Sequence, residues 1–174
     1  MREAVSQDSL RAFMRELAMR SRAEGRVYIT GGGSAVLLHW RDKTVDVDVT
    51  IIPESNAVLS AIRDLKDELN INVEFASPRD FIPELPGWQE RSKFIAREGK
   101  LDFFHYDFYA QCLAKIERGH RKDLADVQSM LNDGLVEKPR LGELFAAIEP
   151  ELLRYPAIDA RDFRRRVEST IAPA

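Results

Sequence analysis

Between Tyr28 and Ile52 the chain reads Y-I-T-G-G-G-S-A-V-L-L-H-W-R-D-K-T-V-D-V-D-V-T-I-I. Few local structures accommodate that order. Consecutive glycines weaken a strand and supply the backbone freedom of a tight turn, so the apolar run Arg26–Thr30 stops at Gly31. The short apolar segment that follows reads as a helix over Ser34–Trp40. Val45-Asp46-Val47-Asp48-Val49 then alternates with a period of two, which places both aspartates on one face of a strand over Thr44–Ile52 and the valines on the other. The spacing therefore predicts strand, glycine turn, helix and strand in direct succession.

The flanking patterns extend this unit into a mixed α/β (α+β) fold, a sheet with flanking helices. Leu10, Phe13, Met14, Leu17 and Ala18 recur at helical spacing within Ser9–Ala23, with Asp8 or Ser9 as N-cap and Gly25 as the stop. Pro53-Glu54-Ser55 opens a second helix running to about Leu69. Asn70–Ala76 alternates as a strand, with Ile71, Val73 and Phe75 on one face and Asn72 and Glu74 on the other. Pro78, Pro83, Pro86 and Gly87 make Ser77–Trp88 a packed loop. Strands follow over Lys93–Arg97 and Lys100–Tyr106. From Asp107 the pattern is helical: Phe108–Arg118, Arg121–Asn132, Leu141–Ile148 and Ala160–Ile171. We expect a core domain over 1–106 and a helical region over 107–174 packed on it.

The length of 174 residues suits this organisation and allows a substantial core. A net charge of −3 points to no nucleic-acid partner, although Arg161, Arg164, Arg165 and Arg166 make one helix locally basic and open to RNA phosphates. The single cysteine, Cys112, leaves no intramolecular disulfide and reads as a buried thiol. The N-terminal residues lack the apolar core of a signal peptide, and no run is long enough to span a bilayer. A cytoplasmic protein without membrane contact is expected.

Two carboxylates side by side on a strand repel each other. A divalent cation relieves that repulsion, and hard oxygen ligands suit Mg²⁺, which usually takes one or two protein carboxylates and fills its remaining positions with water and phosphate oxygens. The turn of Gly32, Gly33 and Ser34 lets backbone N–H groups approach an anion at the start of a helix. A triphosphate between turn and metal fits this order, although the turn matches neither the dinucleotide-binding nor the P-loop pattern. Two-metal transfer calls for a further carboxylate. Glu74 on the next strand is our candidate and Asp102 its rival.

A second dense constellation spans Lys115 to Val127. It reads either as a solvated helix hairpin joined at Gly119, or as Lys115 and an arginine set against phosphate. His39, His105 and His120 are not spaced as metal ligands and receive no chemistry.

On Gly33, Ser34, Asp46 and Asp48 the chain resembles the polymerase-beta-like nucleotidyltransferase superfamily. With the helical segment that carries Lys115, Arg121, Lys122, Asp123 and Asp126, it is similar to bacterial nucleotidyltransferase-like proteins related to the toxins of abortive-infection toxin–antitoxin systems. The resemblance implies a Mg²⁺-bound NTP and transfer of a nucleoside monophosphate to a hydroxyl on RNA, protein or a small molecule. It implies metal binding by Asp46 and Asp48, triphosphate contacts from Gly33 and Ser34, and a site completed by Lys115 and Asp126. A partner protein belongs to the same picture, as does a relative that keeps the fold and only binds.

Overall fold

The computed structural model describes residues Met1–Ala174. They form two compact units, one of 1–77 with 92–106 and one of 78–91 with 107–174.

The first unit is built on seven strands and three helices: β1 (Val5–Ser6), α1 (Gln7–Ser21), β2 (Gly25–Thr30), α2 (Gly32–Leu37), β3 (Lys43–Thr44), β4 (Asp46–Ile52), α3 (Asn56–Glu68), β5 (Asn72–Phe75), β6 (Lys93–Glu98) and β7 (Leu101–His105). Five strands make a mixed sheet in the order β5-β4-β2-β7-β6, and β1 pairs with β3 in a separate two-stranded ribbon. The central pair β2 and β4 is antiparallel, whereas β2–β7 and β4–β5 are parallel. Val27, Ile29, Val47, Val49, Val73 and Phe103 bury one face of this sheet in a core shared with α1 and α3. The opposite face carries Thr30, Asp46, Asp48 and Glu74, as the two-residue period demands.

Several boundaries differ from the sequence expectation for local reasons. Helix α1 starts earlier, because Ser6 rather than Asp8 or Ser9 caps it: Ser6 Oγ accepts from Ser9 N–H, and Ser9 Oγ accepts from Ser6 N–H. It stops at Arg22, whose backbone is left-handed at φ 50°, and Gly25 instead opens β2. Gly32 and Gly33 are already helical, so α2 begins two residues before Ser34 and ends three before Trp40. Val45 is 61% exposed, since β3 ends at Thr44 and the long strand restarts only at Asp46. Phe75, expected on the buried face, is exposed at the last position of the edge strand β5.

The second unit is helical, with α4 (Trp88–Arg91), α5 (Phe108–Arg118), α6 (Arg121–Asn132), α7 (Lys138–Ile148) and α8 (Ala160–Ile171). Helix α7 starts three residues before the expected Leu141 because Pro139 is tolerated in its first turn. Asp107 caps α5 through Tyr109 N–H, and Gly119 in the left-handed region ends it. Phe145 and Phe163 join α7 to α8 edge to face, with ring centroids 5.0 Å apart. Within 77–88, Pro78, Ile82, Pro83, Leu85 and Trp88 are buried, so that loop is packed. Cys112 is fully buried, and desolvation pushes its thiol up to about 12. No helix is long and apolar enough to cross a membrane.

Phe103 lies at the centre of the first unit's core and is fully buried. Phe103→Ala should lower the unfolding free energy in urea by about 3–5 kcal/mol, the cost of removing a buried aromatic ring.

Candidate functional site

Strand pairing assembles the acidic face. Thr30 pairs with Asp48 across the antiparallel ladder, and Asp48 pairs with Glu74, and Asp46 with Asn72, across the parallel one. Directly paired residues share a face, so Asp46, Asp48 and Glu74 are neighbours on adjacent strands. Asp102 is not among them: it pairs with Arg26, four residues back along β2 and about 13 Å away at the strand rise, and faces Arg97 at 3.4 Å.

Asn72, which the sequence reading passed over, links two of the acids. Its Nδ2 donates to Asp46 Oδ1 at 2.6 Å and to Glu74 Oε1 at 2.9 Å. In this arrangement no three acidic, histidine or cysteine side chains converge as a cage for a metal ion. The donor set is nonetheless chemically right for a hard cation, with carboxylate oxygens on one half-exposed face. Thr30 Oγ1 is buried in register with Asp48 and has no hydrogen-bond partner, so the face also offers an unsatisfied oxygen.

The glycine turn abuts this face. Gly31 sits at φ 64°, and a Cβ there would stand 3.1 Å from Asp48 Oδ2. A Cβ at Gly32 would collide with Thr44 Oγ1, and one at Gly33 would press within 2.7 Å of Ile29 Cγ2. Backbone and carboxylate approach closely only because side chains are missing at these positions.

Ser34 faces inward. Its fully buried Oγ donates to Ile29 O at 3.0 Å and lies 2.9 Å from His105 Nδ1. A hydroxyl carries one proton, so with that proton on Ile29 O the imidazole donates its Nδ1–H to Oγ. His105, at the end of β7, therefore ties the start of α2 to two strands. Burial, aided by the charge of Arg11, holds His105 down at about 4 and keeps it neutral. Only the alternation of Leu101, Phe103 and His105 on the core side of β7 hints at this in the sequence.

In the second unit, Lys115 Nζ lies 2.8 Å from Asp126 Oδ2 and 3.2 Å from Asp123 Oδ1, and Arg118 reaches the same Asp123 oxygen at 2.7 Å. Lys115, Asp123 and Asp126 are all buried, so the hairpin of α5 and α6 is not the solvated one considered from the sequence. The Lys115 ammonium is neutralised by its own helical neighbours. Arg121 and Lys122 are exposed in the first turn of α6. On α8, Arg166 donates to Glu117 O at 2.8 Å and pairs with Asp162, while Arg165 pairs with Asp162 and Arg164 with Glu149. Arg91 Nη2 lies 2.6 Å from Asp107 Oδ2, and desolvation nevertheless raises that carboxyl.

A family model described as "Nucleotidyltransferase of unknown function (DUF6036)" matches residues 8–170. The chain belongs to this nucleotidyltransferase family. No curated protein and no solved structure matches it. Membership of a nucleotidyltransferase family implies a nucleoside triphosphate substrate, and in this family member the glycine turn directly follows β2, a strand of the sheet that carries the acidic face.

Removing one member of a buried charge network leaves the others uncompensated. Lys115→Met should cost about 3–5 kcal/mol in urea denaturation, and replacing Lys115, Asp123 and Asp126 together by apolar residues should cost less. His105 supplies a pH signature. Its folded value of about 4 lies below its ordinary 6.5, so its stabilising contribution is complete above pH 6.5 and declines as pH falls towards 4. Between pH 7 and pH 5 the loss is about 2 kcal/mol, and His105→Asn should remove that part of the slope in denaturation midpoints.

Proposed function

We propose that the protein binds Mg²⁺ and an NTP on the acidic face and transfers a nucleoside monophosphate to a hydroxyl on RNA, protein or a small molecule. The register that sets Asp46, Asp48 and Glu74 side by side next to the glycine turn carries this reading. Asp46 and Asp48 hold the metal, with Glu74 as the third carboxylate. A magnesium ion held there would neutralise the paired acids and polarise the triphosphate.

The chain's own groups do the rest. Gly32 and Gly33 bring backbone N–H groups close to phosphate oxygens, and Ser34 steadies the turn from behind instead of reaching the nucleotide with its hydroxyl. The acceptor oxygen bonds to the α-phosphorus as the bond to the β-phosphate oxygen breaks, and pyrophosphate leaves. Glu74 is exposed whereas Asp46 and Asp48 are half-buried, which favours it as the group that takes the hydroxyl proton. We assign Lys115 and Asp126 to the integrity of the hairpin that displays Arg121. The likeness to abortive-infection toxins makes an antitoxin-like partner protein and a cytoplasmic setting part of the same proposal.

One observation favours a second reading, a binding module without turnover. The Asn72 amide donates to one oxygen each of Asp46 and Glu74 and competes with a cation for those two atoms.

Thermal unfolding with Mg-ATP, Mg-GTP, Mg-CTP or Mg-UTP should show stabilisation by at least one of them, which Asp46→Asn/Asp48→Asn abolishes. Stabilisation at 100 times Kd would amount to about 2.7 kcal/mol. Label from the α-phosphate should then pass to cellular RNA or protein, and nucleotide binding without such passage selects the second reading. Lack of stabilisation by every NTP refutes the transfer reading and leaves of the second only a module that binds a partner protein.

A further inference from the structure

We propose that the open edge of β6 takes an extended segment of a partner protein as an added strand, and that this segment alternates acidic with apolar residues. It gives a surface and a chemistry to the partner protein named above, and rests on that part of the reading and not on the transfer step. Strand β6 ends the sheet, and Lys93–Glu98 make no backbone hydrogen bond beyond the ladder with β7. The outward N–H and C=O groups of β6 are left for another chain, and a peptide backbone offers the matching acceptors and donors.

A basic stripe lies beside that edge. Arg11, Arg15, Ala18 and Arg22 follow at i, i+4, i+7 and i+11 along one flank of α1 and its C-cap. The opposite flank is turned to α3, where Arg20 pairs with Glu68 and Glu16 with Arg20. On the stripe's side, the charge of Arg11 acts on His105, which pairs with Lys93 of β6. A Cβ at Gly99, in the turn after β6, would stand 3.4 Å from Ala18. Arg15, Arg22 and Lys93 are exposed, and neither they nor Arg11 form an ion pair. Glu98, the one acid of β6, is at the other end of the strand from Lys93.

The two sides of the edge differ. Lys93 shares the α1 side of the sheet with His105, whereas Phe94 is on the other side in register with Phe104 and is 60% exposed. Successive side chains of an added strand therefore meet cations on one side and a bare ring on the other. Acidic residues suit the first and apolar residues the second. A second copy of this chain fits poorly, because two basic stripes would meet at the seam and the bulge between Phe94 and Ala96 interrupts the edge. A nucleic acid answers the cations alone, since phosphates only accept hydrogen bonds and leave the edge carbonyls without donors.

Fluorescence anisotropy of a labelled octapeptide that alternates glutamate and valine, added to the full chain without nucleotide, tests the proposal. Arg15→Glu/Lys93→Glu should weaken binding at least about tenfold through like-charge contacts, and Arg15→Lys should retain it. A peptide of the same composition with four glutamates followed by four valines should bind at least about fivefold more weakly, because alternation is lost. Hydrogen exchange of the 93–98 backbone should slow when the alternating peptide binds. The Mg-NTP thermal shift should be unchanged in Arg15→Glu/Lys93→Glu. Absence of binding, equal binding of the block peptide, or binding without slower exchange in 93–98 overturns the added strand. An RNA 12-mer that displaces the peptide and slows the same amides equally would overturn it too, as would self-association through β6 without peptide binding. Peptide binding with these signatures in a protein that no NTP stabilises retains the added strand and refutes the transfer reading, whereas NTP stabilisation without peptide binding does the reverse.

Discussion

The pairing register of β2, β4 and β5 is the constraint on which the first unit depends. Val47 and Val49 go into the core, so Asp46 and Asp48 must leave it, and a slip of one residue would drive two carboxylates among Phe13, Leu17 and Phe103. Desolvating a single unpaired carboxylate costs several kcal/mol, which far exceeds any gain available to the slipped ladder. The hydrophobic requirement therefore positions the polar residues. Because β4 and β5 are parallel, the same rule brings Glu74 level with Asp48, and because Asp102 pairs with Arg26 at the far end of β2 it is removed from their company.

Charge is handled differently in the two units. On the sheet the acids lie at a half-exposed face, and the Asn72 amide that bridges Asp46 and Glu74 is neutral, so it leaves their negative charge in place. In the hairpin of α5 and α6, Lys115 and Arg118 compensate Asp123 and Asp126 inside the protein. Two acid clusters of similar composition thus have opposite prospects. A buried and internally balanced network is costly to break and offers little to a substrate, whereas acids gathered on an exposed face attract cations.

Alternation and the places where helices begin were the legible part of the sequence, apart from the start of α1. The D-V-D-V period and the openings of α3 at Ser55 and α5 at Asp107 each follow from contacts within a few residues, and all of them occur. What could not be read depends on contacts between residues distant in the chain. Asn72 meets Asp46 across 26 residues, and Ser34 meets His105 across 71. No local pattern separates a lysine facing phosphate from one folded against two aspartates, since Lys115 occupies the same helical position in both cases. Phe75 illustrates the same limit, because its alternation predicts burial and its place at the end of an edge strand prevents it.

The inward Ser34 bears on how a turn of this kind can serve a phosphate. Its hydroxyl is spent on Ile29 and His105, so side-chain recognition at that position is replaced by control of the backbone. A glycine turn gains close approach at the expense of stiffness, since each glycine has more conformational freedom to lose than any other residue. The buried hydroxyl and imidazole restore that stiffness from behind, where they take no room at the acidic face. A neutral His105 is what this position requires. A charged imidazole there would have to be desolvated beside Arg11, whereas the neutral ring donates one hydrogen bond and adds no charge behind the site. Flexibility in front and rigidity behind are thereby assigned to different residues, and that division lets Gly31 stand next to Asp48 without the turn losing its shape.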